Sequence, residues 1–203
     1  MPVTINGDGS ITGLAVGGLP DGCVDADTLS SNCVTSAKLA TKTFTSYAII
    51  ADIKASNADG GDFDSGAWRT RDLNTELSDE DSIVSISSNQ FTLAAGSYLI
   101  IFSAPALRVN SHQLRLYNIT SSAAVQSGNV EYAASGSGKA GNTANGSARV
   151  VISSSTVFEI QHRCAYTQSS YGFGAGTSGA LDWAGDTATT GAIYCIVEIY
   201  KEA

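Results

Sequence analysis

The chain has 203 residues, 43% of them hydrophobic, which allows one ordinary domain with an appendage and a buried core. Its net charge of -8 excludes a nucleic-acid groove, which needs a concentrated basic face. The 21 glycines and the abundant Ser, Thr, Asn and Ala favour many short strands over long helices.

The first stretch, "MPVTINGDGS", has neither the basic start nor the apolar middle of a signal peptide, and no apolar run approaches the roughly 20 residues that cross a bilayer. The expectation is a protein made and kept in a cytosol, or carried out of it inside something larger, without membrane insertion. Residues 1–20 and 21–45 contain a single aromatic residue, Phe44, at their very end, and few apolar ones. Within them "DGCVDADTLSSNCVTSAKLA" (21–40) is one ten-residue phrase written twice, with Cys23, Val24 and Leu29 aligned on Cys33, Val34 and Leu39. Asp25 and Thr35 are good helix N-caps. Each is preceded by Val and followed four residues later by Leu, the spacing of a hydrophobic staple around one turn. A single turn does not stand alone in water. Val24, Leu29, Val34 and Leu39 therefore need burial against other copies or a host surface, unless the segment is a disordered tail. Cys23 and Cys33 are either interchain bridges or small apolar fillers.

From residue 46 to 203 the pattern is that of strands. "SYAIIADIKA", "SIVSIS", "FTL", "SYLIIFSA", "HQLRLYNI", "ARVVIS", "TVFEIQHR" and "AIYCIVEIYK" are β-branched and aromatic runs between Gly, Asn, Asp and Ser clusters. Phe158 and Ile160 alternate with Glu159 and Gln161, as in a half-buried strand, whereas "YLIIF" is apolar on both faces and belongs in the middle of the assembly. About eight to ten such runs predict a two-sheet sandwich or jelly roll. Ser135–Gly146 and Tyr171–Thr190 read as large surface loops. Cys164 and Cys195 sit in strand-like runs as buried thiols or a cross-strand bridge.

Motifs for chemistry are scarce. His112 and His162, the only two histidines, lie beside Arg115 or Arg163 without a His/Cys/Asp cluster at ligand spacing, and read as packed or interface residues. "GSGKAG" (136–141) fails as a phosphate loop because Ala133 and Ala140 stand where Gly and Ser or Thr are required. "GTSGA" (176–180) misses the nucleophile-elbow pattern at its last residue. No enzyme and no cofactor is expected. Asp59, Asp62 and Asp64 in a Gly-rich turn fit either a weak calcium site or ordinary turn chemistry. "SDEDS" (78–82) reads as a solvated turn.

The segments "GAWRTRDLNT" (66–75), "FTLAAGSYLIIFSAPALRVNSHQLRLYNIT" (91–120), "FEIQHRC" (158–164) and "VEIYKEA" (197–203) resemble the C-terminal knob of bacteriophage fibre proteins, especially of cyanophage-like phages of aquatic bacteria. That knob is similar to the trimeric jelly roll of the complement component 1q globular head and tumour necrosis factor. The shared pattern is Phe91, Leu93, Gly96 and Tyr98. "SITGLAVGGLPDG" and the "NCVTSAKLA" repeat resemble the N-terminal stalk of phage fibres, with Cys23 and Cys33 as a departure.

The resemblance implies a mainly β homotrimer: a virion-anchoring segment (1–20), a short repeat stalk (21–45) and a jelly-roll knob (46–203). It implies a fibre on a phage tail or capsid, assembled in the host cytoplasm, whose knob binds a saccharide or protein of the host surface. The alternative is a capsid decoration, head fibre or cement protein with a structural role. Arg69, Arg71, Arg115, His112 and His162 are then candidates for the trimer interface, since Arg suits planar contacts between subunits. Tyr171, Phe173 and Trp183, aromatics in Gly-rich loops, are the candidates for receptor contact.

Overall fold

The structure is a computed structural model that describes residues 4–5, 7, 11–12, 43–55, 58–135, 140–176 and 191–203. The chain divides into two units, Met1–Lys42 and Thr43–Ala203. In the first, β1 (Thr4–Ile5) and β2 (Ile11–Thr12) pair antiparallel, Ile5 opposite Ile11. The repeats, with Cys23, Val24, Leu29, Cys33, Val34 and Leu39, lie outside the described residues.

The second unit is built of β3 (Phe44–Lys54), β4 (Arg69–Thr70), β5 (Thr75–Ser78), β6 (Val84–Ser87), β7 (Gln90–Leu93), β8 (Gly96–Leu107), β9 (Asn110–Asn118), β10 (Ala123–Ala133), β11 (Gly141–Ile152), β12 (Thr156–Cys164) and β13 (Ala192–Glu202). No helix occurs among the described residues. Sheet I runs β11-β8-β13-β3-β5 and sheet II runs β10-β9-β12-β7-β6, with β4 paired to β12; every named pairing is antiparallel. The chain passes repeatedly from one sheet to the other, as from β7 to β8, β8 to β9 and β11 to β12, which makes a jelly-roll sandwich.

Alternation decides the interior. Tyr98, Ile100 and Phe102 of β8 and Val197 and Ile199 of β13 meet Phe91, Leu114, Leu116, Phe158 and Ile160 of sheet II, all essentially without solvent contact. The Phe91 and Phe158 rings stack at 5.6 Å. In the Phe-x-Leu-x-x-Gly-x-Tyr segment, Phe91, Leu93 and Tyr98 are core, and Tyr98 Oη donates to the Ala94 carbonyl at 3.1 Å. β6 and β7 are joined by Ser88 and Asn89, both at positive φ (53° and 64°), a two-residue turn whose twist matches the strands it links. Asp79 in the "SDEDS" turn caps the next strand, accepting from the Ile83 and Val84 amides at 2.8 and 3.1 Å.

Two expectations are corrected. The stretch assigned to a loop up to Gly146 is strand from Gly141 onward, in continuous register with β8 from Gly141↔Leu107 to Ile152↔Gly96. Glycine is required at 146 because a Cβ there would lie 2.3 Å from the Phe102 ring. Glu159 lies on the outward side of its strand as expected but is buried there, since Thr70 of β4 and Gln90 of β7 close over its carboxylate at 3.2 and 3.3 Å. β4, β5 and β10 lie outside the expected runs, and β10 shows no apolar alternation because it is almost uniformly exposed.

Candidate functional site

One end of the sandwich gathers several of the residues singled out in the sequence. Phe63, Ala106, Val109, Ala133 and Cys164 form a second apolar cluster there, against which Phe173 packs. The Phe173 ring lies 4.5 Å from that of Phe63 and 3.9 Å from the Arg71 guanidinium. Phe173 thus fills this end of the domain. Tyr171 is half-buried, and its hydroxyl accepts from Arg108 Nη1 at 3.2 Å. Between them Gly172 is obligatory: a Cβ would meet the Gln168 carbonyl and Phe63 Cβ at 2.5 Å. Trp183 lies outside the described residues.

Arg71 organises this end from inside. It is completely buried, and its guanidinium donates to the carbonyls of Pro105 (3.4 Å), Phe173 (3.1 Å) and Tyr194, tying three segments together. Burial lowers its pKa, with Cys195, Asp52 and Asp72 opposing that shift. His112 and His162 are paired, Nδ1 to Nε2 at 2.9 Å, and their remaining ring nitrogens are buried with no hydrogen-bond partner. A neutral pair shares one N–H between the two rings, and charging it would bury an unpaired cation. Desolvation, aided by Arg71, brings His112 down to about 4 and His162 well below its ordinary value. Arg71, His112 and His162 are therefore buried by their own chain and offer no surface to a neighbour, which corrects their assignment to a subunit interface. Arg69 and Arg115 keep partial exposure.

The acidic turn is also accounted for internally. Asp59 accepts from the Gly176 amide at 2.7 Å, Asp62 from the Ser170 amide, and Asp64 lies 4.0 Å from Arg69. The bonds of Asp59 and Asp62 reach the distant Gly176 and Ser170 amides, so these carboxylates tie the turn to that segment rather than closing on their own backbone. No group of three or more His, Cys, Asp or Glu that could hold a metal occurs among the described residues. A partly buried network links Lys54 to Asp52 at 3.1 Å and Asp72 at 2.8 Å, with Asn74 donating to Asp52 and Asn89 to Asp72, both at 3.0 Å. Burial raises the Asp52 pKa, with Lys54 opposing it. Cys164 and Cys195 are free buried thiols, pushed up by desolvation to about 11 and about 12 and so chemically quiet at neutral pH. An open cavity of about 270 Å³ is lined by Ser111, His112, Gln113, Val130, Arg163 and Cys164, and burial keeps both the His112 imidazole and the Cys164 thiol neutral at pH 7.

The two outer faces are the remaining surfaces of consequence. On sheet II, the Arg115 guanidinium sits 4.1 Å over the Trp68 ring and 4.9 Å from that of Tyr117, and donates to Gln161 at 2.7 Å. Trp68 entered the sequence reading only within the segment "GAWRTRDLNT", and nothing local in the sequence marked its contact with Arg115. On the outside of sheet I, β3, β8 and β13 present many apolar side chains. Tyr47 is 50%, Ile101 37%, Val151 68% and Ile193 47% exposed, and half-buried Ile49, Ile53, Leu99, Ile196 and Tyr200 lie among them. At the neighbouring edge, β10 exposes Val130 and Tyr132.

No protein-family model matches the chain, and no curated protein matches it. Among solved structures it is similar to the globular domain of zebrafish complement 1qA, with 13% identity, a TM-score of 0.45, and 76% of this chain and 95% of that one covered. It is also similar to murine APRIL, with 9% identity, a TM-score of 0.47, and coverage of 77% and 98%. The PRD1 vertex protein aligns at 14% identity and a TM-score of 0.46, with 80% and 100% covered.

Proposed function

We propose that this protein is a phage virion fibre protein: a homotrimer anchored by residues 1–20, raised on the short repeat stalk of 21–45, and displaying the jelly-roll knob toward the host cell surface. The observation that supports self-association is the apolar outside of sheet I. Its opposite side is already core, and among the described residues no packing accounts for apolar Tyr47, Leu99, Ile101, Ile196 and Val151. A face on sheet I and a separate apolar edge on β10 suit a face-to-edge contact, which closes into a ring when the rotation permits. Three comes from the resemblance to the complement-head and tumour-necrosis-factor jelly rolls. Three gathered chain starts bring the Val and Leu of the stalk repeats together, and threefold presentation turns a weak contact with a host saccharide or protein into avidity.

Catalysis is not part of this reading. The decisive experiment combines imaging of virions, which locates the knob on tail or capsid, with labelling of susceptible cells by the purified protein. Staining of host cells and loss of adsorption in virions lacking the protein are expected. Normal adsorption of such virions, with knobs seen on the capsid, would overturn the receptor role in favour of capsid decoration.

A further inference from the structure

The apolar face of sheet I has a carboxylate in its middle. Glu198 of β13 stands opposite Ile49 of β3 and Ile101 of β8, with Ile196 and Tyr200 two residues away along its own strand. Register places all five on one face. Tyr200 Oη donates to Glu198 Oε2 at 2.7 Å, a bond that also raises the tyrosine pKa. One donor satisfies a fraction of what an ionised carboxylate accepts, and water supplies the rest while the face is open. The other titratable groups on this face are Tyr47 on β3, Tyr200 on β13 and, at the sheet edge, Arg149 of β11, whose guanidinium is held by Glu202 at 2.6 Å. β8 presents Leu99, Ile101 and Ser103 here, none of them charged. No cation of this chain is paired with Glu198 among the described contacts.

We propose that Glu198 couples assembly of the knob to pH: covering sheet I with a second copy strips water from its carboxylate, so the assembled state prefers the neutral acid and the subunits hold more tightly in mild acid. The proposal rests on the reading of sheet I as a self-contact. The physical cause is the desolvation penalty of an ion, which far exceeds that of the protonated acid in dry surroundings. The sign follows from linkage. The assembled state binds more protons than the separated chains, so association strengthens as pH falls and weakens as pH rises.

The test is native mass measurement or equilibrium sedimentation of the full chain over a dilution series from about pH 5 to about pH 8. The subunit dissociation constant is expected to rise at least about tenfold across this range, one pK unit of differential protonation being worth a factor of ten. In Glu198→Gln, which keeps an acceptor for Tyr200, the slope should vanish. In Glu198→Leu association should be tighter than wild type at every pH. An unchanged slope in Glu198→Gln, or wild-type assembly that tightens with rising pH, overturns the proposal while leaving self-association standing. A wild-type chain that is monomeric at every pH overturns the self-contact reading itself, and is recognised without any variant.

Discussion

Leu99, Ile101 and Ile196 face outward on sheet I where Gln113, Arg115 and Gln161 do so on sheet II, although the two sheets share one interior. An antiparallel sheet with one face in the core needs only polar residues on the other. Sheet II follows this rule over β9 and β12, leaving Val130 and Tyr132 at its β10 edge as exceptions, and there the outward residues satisfy one another: Arg115 is held by Gln161, Trp68 and Tyr117, and the buried Glu159 by Thr70, Gln90 and Gln161. Sheet I breaks it. The difference teaches that the same fold carries one face finished as a surface and one that is not.

The largest expected effect strikes what the faces have in common. Phe158→Ala removes a fully buried ring stacked on Phe91 and should cost about 3–5 kcal/mol in chemical denaturation, abolishing both faces together. Next, Ile101→Glu should dissociate the assembly, raising the subunit dissociation constant at least about a hundredfold, while the thermal transition of the single chain moves little. Arg115→Glu on sheet II should leave the native mass unchanged; a mass change there, and none for Ile101→Glu, would reverse the assignment of the faces.

Arg71→Ala tests the end that joins the sheets. It leaves the carbonyls of Pro105, Phe173 and Tyr194 without their donor and a cavity behind, for a loss of about 2–4 kcal/mol. At the same end the His112–His162 pair sets an acid limit. The folded pKa of His112 is depressed to about 4, so the unfolded chain binds more protons between about pH 6.5 and pH 4. Stability is full above the unfolded value and declines as pH falls toward 4, by up to roughly 3 kcal/mol. Urea midpoints at pH 7 and pH 4.5 read this directly, and a flat profile would contradict a neutral buried pair. Acid thus loosens the loop end of each chain while tightening the covered face. The smallest effect is Arg115→Gln, which forfeits the contacts with Trp68 and Tyr117 for about 0.5–1 kcal/mol.

Much of the sandwich was legible because the informative residues announce it locally. The runs that became β3, β7, β8, β9, β12 and β13 are β-branched or aromatic, and the doubly apolar "YLIIF" pointed both to the core through Tyr98, Ile100 and Phe102 and to the unfinished face through Leu99 and Ile101. β10 was illegible because an exposed edge strand needs no apolar alternation, and the first half of β11 because its glycines and asparagines look like a loop until the Phe102 ring demands Gly146. Arg71, His112 and His162 misled for a different reason. Polar residue types suggest surface, and only the tertiary fold reveals the carbonyls of Pro105, Phe173 and Tyr194, or the mutual bond of the two imidazoles, that make burial tolerable. Asp59 and Asp62 fitted both chemistries in the sequence, and their bonds to the Gly176 and Ser170 amides were illegible there because those partners are distant in the chain. Glu198 gave no local sign at all, since a lone acid in "IVEIY" acquires meaning only when Ile49 and Ile101 flank it across the sheet.

Whether the outside of sheet I is a contact between copies is the point on which the account turns, and the native mass of the full chain at micromolar concentration near pH 6 tests it most directly. The account predicts a single species of three times the 20.9 kDa chain mass, reduced to one chain by Ile101→Glu. A wild-type protein that stays at 20.9 kDa throughout the dilution series contradicts it.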